Sequence, residues 1–367
     1  MLACPSTDRL SSGGEETGDT GGLDGGPDAA SDDAGCLMAH PPAAPIGVTD
    51  GPDLPPIVLA TRAFATRLSP DAGLLGYDLD DACTCLGEVP DAATPCATQT
   101  SMCDDADGRD VTATKMLGLV PGADPIGATN AFIAAGLGTT LFVLEGYNGT
   151  PDDPSIFWTS YLSNGSWATT PDGGAYLDDG GLLDDGGPAS PVAPAWDGTD
   201  RWALNAISAP GGTPTVRVPG WVAGGILVAH AQRIPGFLVP VGFGAGIDLT
   251  EAIITGRIAR TEGRYELVDA QLVGRALASQ ILGAVRTSRS VTDAGVVKCK
   301  VSEPTVYPLV KGAVCAGRDV MQFRGAEGTG QACDSLAQAI AFTAVEAHIG
   351  PTRAGTTPCP IEEDQCP

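Results

Sequence analysis

The sequence predicts a mainly β protein: antiparallel sheets packed as a β-sandwich-like domain, with a small helical, disulfide-fastened part at the C-terminal end. Three observations predict it. Among 367 residues, glycine (50) and proline (30) are over-represented while aromatic residues reach only 5%, a composition that favours turns and short elements over long helices. From about residue 139 to 272, short β-branched and aromatic runs are punctuated by Gly and Pro at the regular spacing of an all-β fold. Several of these runs are apolar on both faces, which requires a second packed layer or a covering helix.

Residues 1–45 come first, and from Pro5 onward they are nearly all Gly, Asp, Ser, Thr, Ala and Pro. With so little apolar surface to bury, the segment cannot offset the entropy of ordering and is expected to be a flexible, self-repelling tether. A β-rich domain is expected over 46–270. It opens near Ile57-Val58-Leu59, and residues 139–146 (TTLFVLEG) and 155–162 (SIFWTSYL) form a hairpin across a Gly/Asp/Pro turn. Further strands are expected at 201–207, 215–218, 221–231, 237–241, 252–259 and 265–272, and the Gly/Asp-rich stretch 171–194 reads as a long surface loop.

The C-terminal part, 271–367, carries two expected helices. Residues 275–287 place Leu277, Ile281, Leu282 and Val285 at helical spacing; residues 335–349 are introduced by Asp334 as an N-cap and stopped by Gly350-Pro351. No apolar run reaches the roughly 18 residues of a membrane-spanning helix.

The net charge of -25 is uneven: residues 1–200 hold 31 acidic and 5 basic side chains, residues 201–367 hold 14 and 15. So acidic a surface, with no run of Lys or Arg, repels phosphate backbones and excludes nucleic-acid binding. It also repels anionic lipids, so any membrane link has to be covalent. Divalent cations are its natural partners.

Eleven cysteines argue for an oxidising, extracytoplasmic compartment. Zinc knuckles are missing and His40, His230 and His348 are scattered, so the spacing favours bridges over metal ligation. Met1-Leu2-Ala3-Cys4 matches the end of a bacterial lipoprotein signal, with Cys4 as the lipidation site, and removing Cys4 leaves an even ten. Cys83 and Cys85, two apart, are too strained to pair with each other and are expected to bond to Cys96 and Cys103 in either order. Cys299, Cys315 and Cys333 are expected to tie strand and helix segments together.

Beside Cys103 runs Asp104-Asp105-Ala106-Asp107-Gly108-Arg109-Asp110. Alternate carboxylates around a glycine are how an oxygen cage for a hard cation is assembled, which makes Asp104, Asp105, Asp107 and Asp110 candidate ligands for calcium. The loop is not an EF-hand, since Cys103 stands at its first ligand position and Thr114 where the bidentate Glu belongs. The Gly/Asp tether behind a lipid-type cysteine, the Cys-rich patch and this loop together resemble cell-envelope lipoproteins of the myxobacterial type. Val111 departs from that pattern, which carries Asn there. The resemblance implies an outer-membrane or cell-surface location, not an activity.

Enzyme signatures are lacking: no Gly-x-Ser-x-Gly, no His-Glu-x-x-His, no phosphate-binding loop. No catalytic or organic-cofactor residues are assigned. His230, in an apolar run, reads as a core histidine. Asn148-Gly149 and Asn164-Gly165 read as tight turns, and Trp158, Trp167, Trp196, Trp202 and Tyr161 as core or a sugar-binding face. The expected function is a surface-tethered binding or structural envelope protein with a glycan or envelope-protein ligand. The alternative is a secreted glycosidase-like hydrolase using Glu145 and Glu251 as paired carboxylates.

Overall fold

The computed structural model describes residues 38–48, 51–82, 96, 103–117, 124–167, 192–237, 246–291, 297–301, 307–353 and 361–367. Cys4, Cys36, Cys83, Cys85, Cys359, the tether up to residue 37, residues 238–241 and all but the end of the 171–194 loop lie outside them.

Expected strands become β1 (Ile57–Ala65), β2 (Thr139–Glu145), β3 (Asp153–Trp167), β4 (Arg201–Asn205), β5 (Val216–Ala223), β6 (Ile226–Phe237), β7 (Ile247–Thr261) and β8 (Arg264–Leu277). The expected strand 221–231 is split by a hairpin turn at Gly224-Gly225, both with positive φ, the backbone a two-residue turn demands. A short hairpin, β9 (Thr287–Val291) and β10 (Val297–Val301), follows; β11 (Ser335–Glu346) and β12 (His348–Arg353) end the series.

The sandwich expectation is overturned, because the sheet closes on itself. Going round the ring the order is β3-β2-β1-β11-β8-β7-β6-β5, and β5 pairs back onto β3, giving an eight-stranded barrel in which every contact is antiparallel. Two-sided apolar strands signal that both faces are covered, but not whether a second sheet or the far wall of a barrel does the covering. β3 makes closure possible. Its first half pairs with β5, from Asp153↔Val222 to Ser160↔Val216, and its last residues pair with β4, which carries β12 in parallel as a flap beside the barrel. Bulges in β7 and β8, at Glu251 and Asp269 with positive φ, add the bend that a closed sheet needs.

The expected helix at 335–349 is also overturned: residues 335–346 form β11, central between β1 and β8. Its alternation is of size rather than polarity. Ala337, Ala339 and Ala341 face outward, while Ile340, Phe342 and Ala344 face the lumen. Asp334 does not cap a helix; its carboxylate accepts from Gln322 N at 2.6 Å. The helix expected at 275–287 is α3 (Ala278–Arg286), preceded by the end of β8. The remaining helices are α1 (Thr112–Leu117), α2 (Pro125–Ala134), capped by Asp124 accepting from Gly127 N, and α4 (Tyr307–Ala316).

Apolar side chains fill the lumen. Phe142 stacks on Trp158 with centroids 4.4 Å apart and meets Phe342 at 5.3 Å. The void bordered by these rings and Ile254 is about 10 Å³, room for no more than a water. Exposed Arg217, Arg233, Arg257 and Arg260 lie on the outer side of the strands. A membrane-spanning barrel has the opposite arrangement, an apolar band outside and a polar lumen. No helix among the described residues is long and apolar enough to cross a membrane.

Among the described residues two disulfides are formed, Cys96–Cys333 and Cys315–Cys366, consistent with an oxidising extracytoplasmic environment. Cys96 therefore bonds a residue 237 positions away instead of its neighbours in the Cys-rich patch, and Cys315 reaches the C-terminal segment rather than Cys299 or Cys333. Loop proximity in sequence is a weak guide once strands return from the far end of the chain. Non-reducing peptide mapping should recover both bridges; a Cys83–Cys96 or Cys85–Cys96 peptide would contradict the fold. Phe342→Ala should cost about 3–5 kcal/mol in chemical denaturation, whereas Ile46→Ala, at a residue 97% exposed, should stay within about 0.5 kcal/mol.

Candidate metal centre

A stretch without regular secondary structure, residues 74–82, runs as a strap over the outer face of β7, β8 and β11. Small outward side chains on β11 let it lie close: Leu75, Tyr77 and Leu79 pack on Ala337, Ala339, Ala341 and Val273. Polar contacts fix its position. Gly76 N donates to Gln271 Oε1 at 2.8 Å, Tyr77 and Thr255 share a hydroxyl contact of 3.0 Å, and the Arg275 guanidinium donates to Leu79 O. Gly76 has φ +94°, and a Cβ there would come within 2.5 Å of Val111, so only glycine fits.

The turn 103–111 docks against this strap. Asp110 N donates to Tyr77 O at 3.1 Å, and Leu79 N donates to Asp110 Oδ2 at 2.7 Å. Asp78 Oδ1 accepts from Asp80 N (3.1 Å) and Asp81 N (2.7 Å), and Asp80 Oδ1 accepts from Ala82 N at 2.9 Å. These bonds hold three carboxylates in one place: Asp78, Asp80 and Asp110 each offer an oxygen, all within 4.8 Å of one another. Asp78 and Asp110 are buried and Asp80 is partly exposed. This cluster could hold a metal ion.

Two features set it apart from a solvated acidic patch. Asp78 Oδ2 is buried and takes no hydrogen bond among the described residues, a costly state for a carboxylate oxygen unless something unseen by hydrogen bonding satisfies it. No Lys or Arg pairs with any of the three among the described residues. Arg275 spends its charge on Glu327 and Glu251, Arg324 on Asp81, and Lys115 on Asp105. Burial accordingly pushes all three carboxyls up. Asp78 is raised by desolvation against the opposing pull of backbone amides and of the His40 charge; Asp80 is raised to about 8 by desolvation and then by the charges of Asp104, Asp78 and Glu327. Asp110 is raised well above the usual range by desolvation and then by Asp80, Asp104 and Asp319.

Of the four residues expected to form the cage, only Asp110 is in the cluster. Asp105 pairs with Lys115 at 2.8 Å, and Asp107 is half exposed with Arg109 4.0 Å away. Asp104 lies near enough for its charge to raise Asp80 and Asp110 but supplies none of the three clustered oxygens. The expectation sought ligands within one loop, while this cluster joins two segments some thirty residues apart. The signal for the missing pair was Asp78-Leu79-Asp80, alternate carboxylates in a strand-like stretch.

The paired-carboxylate alternative finds no support in the geometry. Glu145 on β2 is bound by Arg217 at 2.9 Å, and Glu251 on β7 meets Arg275 at 3.2 Å; four strand-to-strand steps separate β2 from β7 in either direction around the ring. His230 is not a core residue but faces out and stacks on Trp221. Trp158 and Trp202 are fully buried, so they form no sugar-binding face. Asn148 accepts from Thr150 N in the expected turn. No family model, curated protein or solved structure matches the chain.

Asp319, buried near the cluster, accepts from Ala337 N at 3.0 Å and from the Thr112 hydroxyl. Desolvation, only partly opposed by these bonds, raises it to about 6. A carboxyl raised on folding binds its proton more tightly in the native state, so its stabilising effect is complete below about pH 4 and is lost as pH rises through about 6. Asp319→Asn cannot titrate. In thermal melts in EDTA, the wild type should lose on the order of 3 kcal/mol relative to this variant between pH 4 and 7; parallel pH profiles would contradict the assignment.

Proposed function

We propose that this chain is an extracytoplasmic envelope protein of the binding or structural class, held at the cell surface by a lipid on Cys4 and fastened by calcium at Asp78, Asp80 and Asp110. The single observation that carries the metal half is the buried Asp78 Oδ2, which takes no hydrogen bond among the described residues and faces two further carboxylates with no Lys or Arg paired to them. An all-carboxylate set suits a hard divalent ion and gives softer metals no thiolate or imidazole. Calcium fits better than magnesium because it accepts irregular carboxylate geometry and shed water more readily, and extracellular modules bind it at millimolar levels.

The ion's work is structural: it joins the strap to the turn, and through them fixes the outer cover of β7, β8 and β11. The surface half is supported by Met1-Leu2-Ala3-Cys4, by the low-complexity residues behind it and by the disulfides. A filled lumen speaks against a carrier of small molecules, and the opposite placement of Glu145 and Glu251 speaks against hydrolysis. The remaining surface is left for a glycan or envelope-protein ligand.

Calcium should raise the melting temperature of the wild type by a few degrees over EDTA at matched ionic strength, about 2.7 kcal/mol at a hundredfold excess over Kd. Asp78→Asn keeps the shape and the Oδ1 bonds but removes a charge. It should abolish the calcium response and leave the metal-free protein at least as stable as wild type, since a buried repulsion is relieved. An unchanged wild-type melting temperature would remove the metal from the proposal. Intact mass of the native protein should show acylation at Cys4; a mature N-terminus elsewhere would remove the anchor.

A further inference from the structure

Residues 38–45 form an N-terminal arm that crosses from the carboxylate cluster to β5. Among the described residues two of its positions, Ala39 and Pro42, are hydrogen-bonded to the rest, and the charge of His40 acts on Asp78. Ala39 is buried and inserted between the two segments that build the cluster: Ala39 N donates to Asp107 O at 2.9 Å, and Asp78 N donates to Ala39 O at 2.9 Å. Farther on, Pro42 O accepts from Trp221 Nε1 at 3.0 Å, and by Ile46 the chain is almost wholly exposed. Asp78 thus has two duties, its peptide N–H holding the arm while its carboxylate stands in the cluster.

We infer that cation occupancy of the Asp78, Asp80 and Asp110 cluster latches the N-terminal arm to the barrel. The inference rests on the cation reading and adds a consequence to it. The slot for Ala39 exists only while the strap and the turn keep their spacing, and the same two segments carry the three carboxylates. With a cation between them the carboxylates attract a common centre and the slot is fixed; without it only the hydrogen bonds tie the strap to the turn, and the slot loosens. The chain preceding Met38 joins the barrel through this arm. Release back to Leu54, whose N–H is held by Tyr147 O, frees sixteen residues and lengthens the connection by at most about 55 Å. Calcium therefore sets how much of the chain before Leu54 is tied to the barrel.

Hydrogen exchange followed by mass spectrometry on the full chain tests this. In calcium, peptides covering 38–45 and 74–82 should exchange at least about tenfold more slowly than in EDTA, with β7 and β8 unchanged; Asp78→Asn should show no calcium effect on either peptide. A calcium-dependent rise in melting temperature with no change in the 38–45 peptide would overturn the latch and leave the cation site standing. No calcium effect on melting or exchange would overturn both.

Discussion

The antiparallel pairing of β3 with β5 turns a run of hairpins into a barrel, and most of the remaining structure depends on it. Strand β3 is long enough to divide its free edge. One half closes the ring against β5, and the other recruits β4 and through it β12. Closure removes the exposed edges that an open eight-stranded sheet would present to other chains. It also defines an inside, where Trp158, Phe142 and Phe342 meet and exclude solvent. The barrel is consequently a rigid core, and its chemistry has to sit on the outer face.

On that outer face, the wall formed by β8 and β11 is lined with alanine and valine, which leaves room for backbone to lie flat against it. The strap takes that place and brings with it carboxylates that a solvent-facing segment would carry at no cost. Once covered, they are expensive: an unpaired buried charge costs several kcal/mol even after relaxation. Local amides meet part of that cost through Asp78 Oδ1, Asp80 Oδ1 and Asp110 Oδ2. The remainder falls on Asp78 Oδ2, in a cluster that could hold a metal ion. The Cys96–Cys333 bridge and the buried Asp319 lie beside the same wall and limit how far the cover can shift.

Most of the strands were legible in the sequence, though not their closure into a barrel. The β2–β3 hairpin, β4 and the β7–β8 region stand out because their β-branched and aromatic runs are cut by residues that permit tight turns, such as Glu262-Gly263. β11 was not legible, since alanine is the best helix former and a strand buried on both faces shows no polar alternation to betray its period. The candidate centre was half legible. Asp110 lay in an evident acidic loop, but Asp78 and Asp80 acquire meaning only when the strap folds over the wall to meet it.

The sequence by itself determined the class of secondary structure, the acidic character, the oxidising compartment and the supply of carboxylates, because composition and short-range pattern control propensity, charge and turn chemistry. The tertiary structure decided closure, disulfide partners and which carboxylates share a site. Each of these depends on which distant segments become neighbours: β3 with β5, Cys96 with Cys333, Asp78 with Asp110. Such choices are made by the cooperative burial of the whole chain, where one pairing fixes the geometry available to the next, and no local window of sequence contains them.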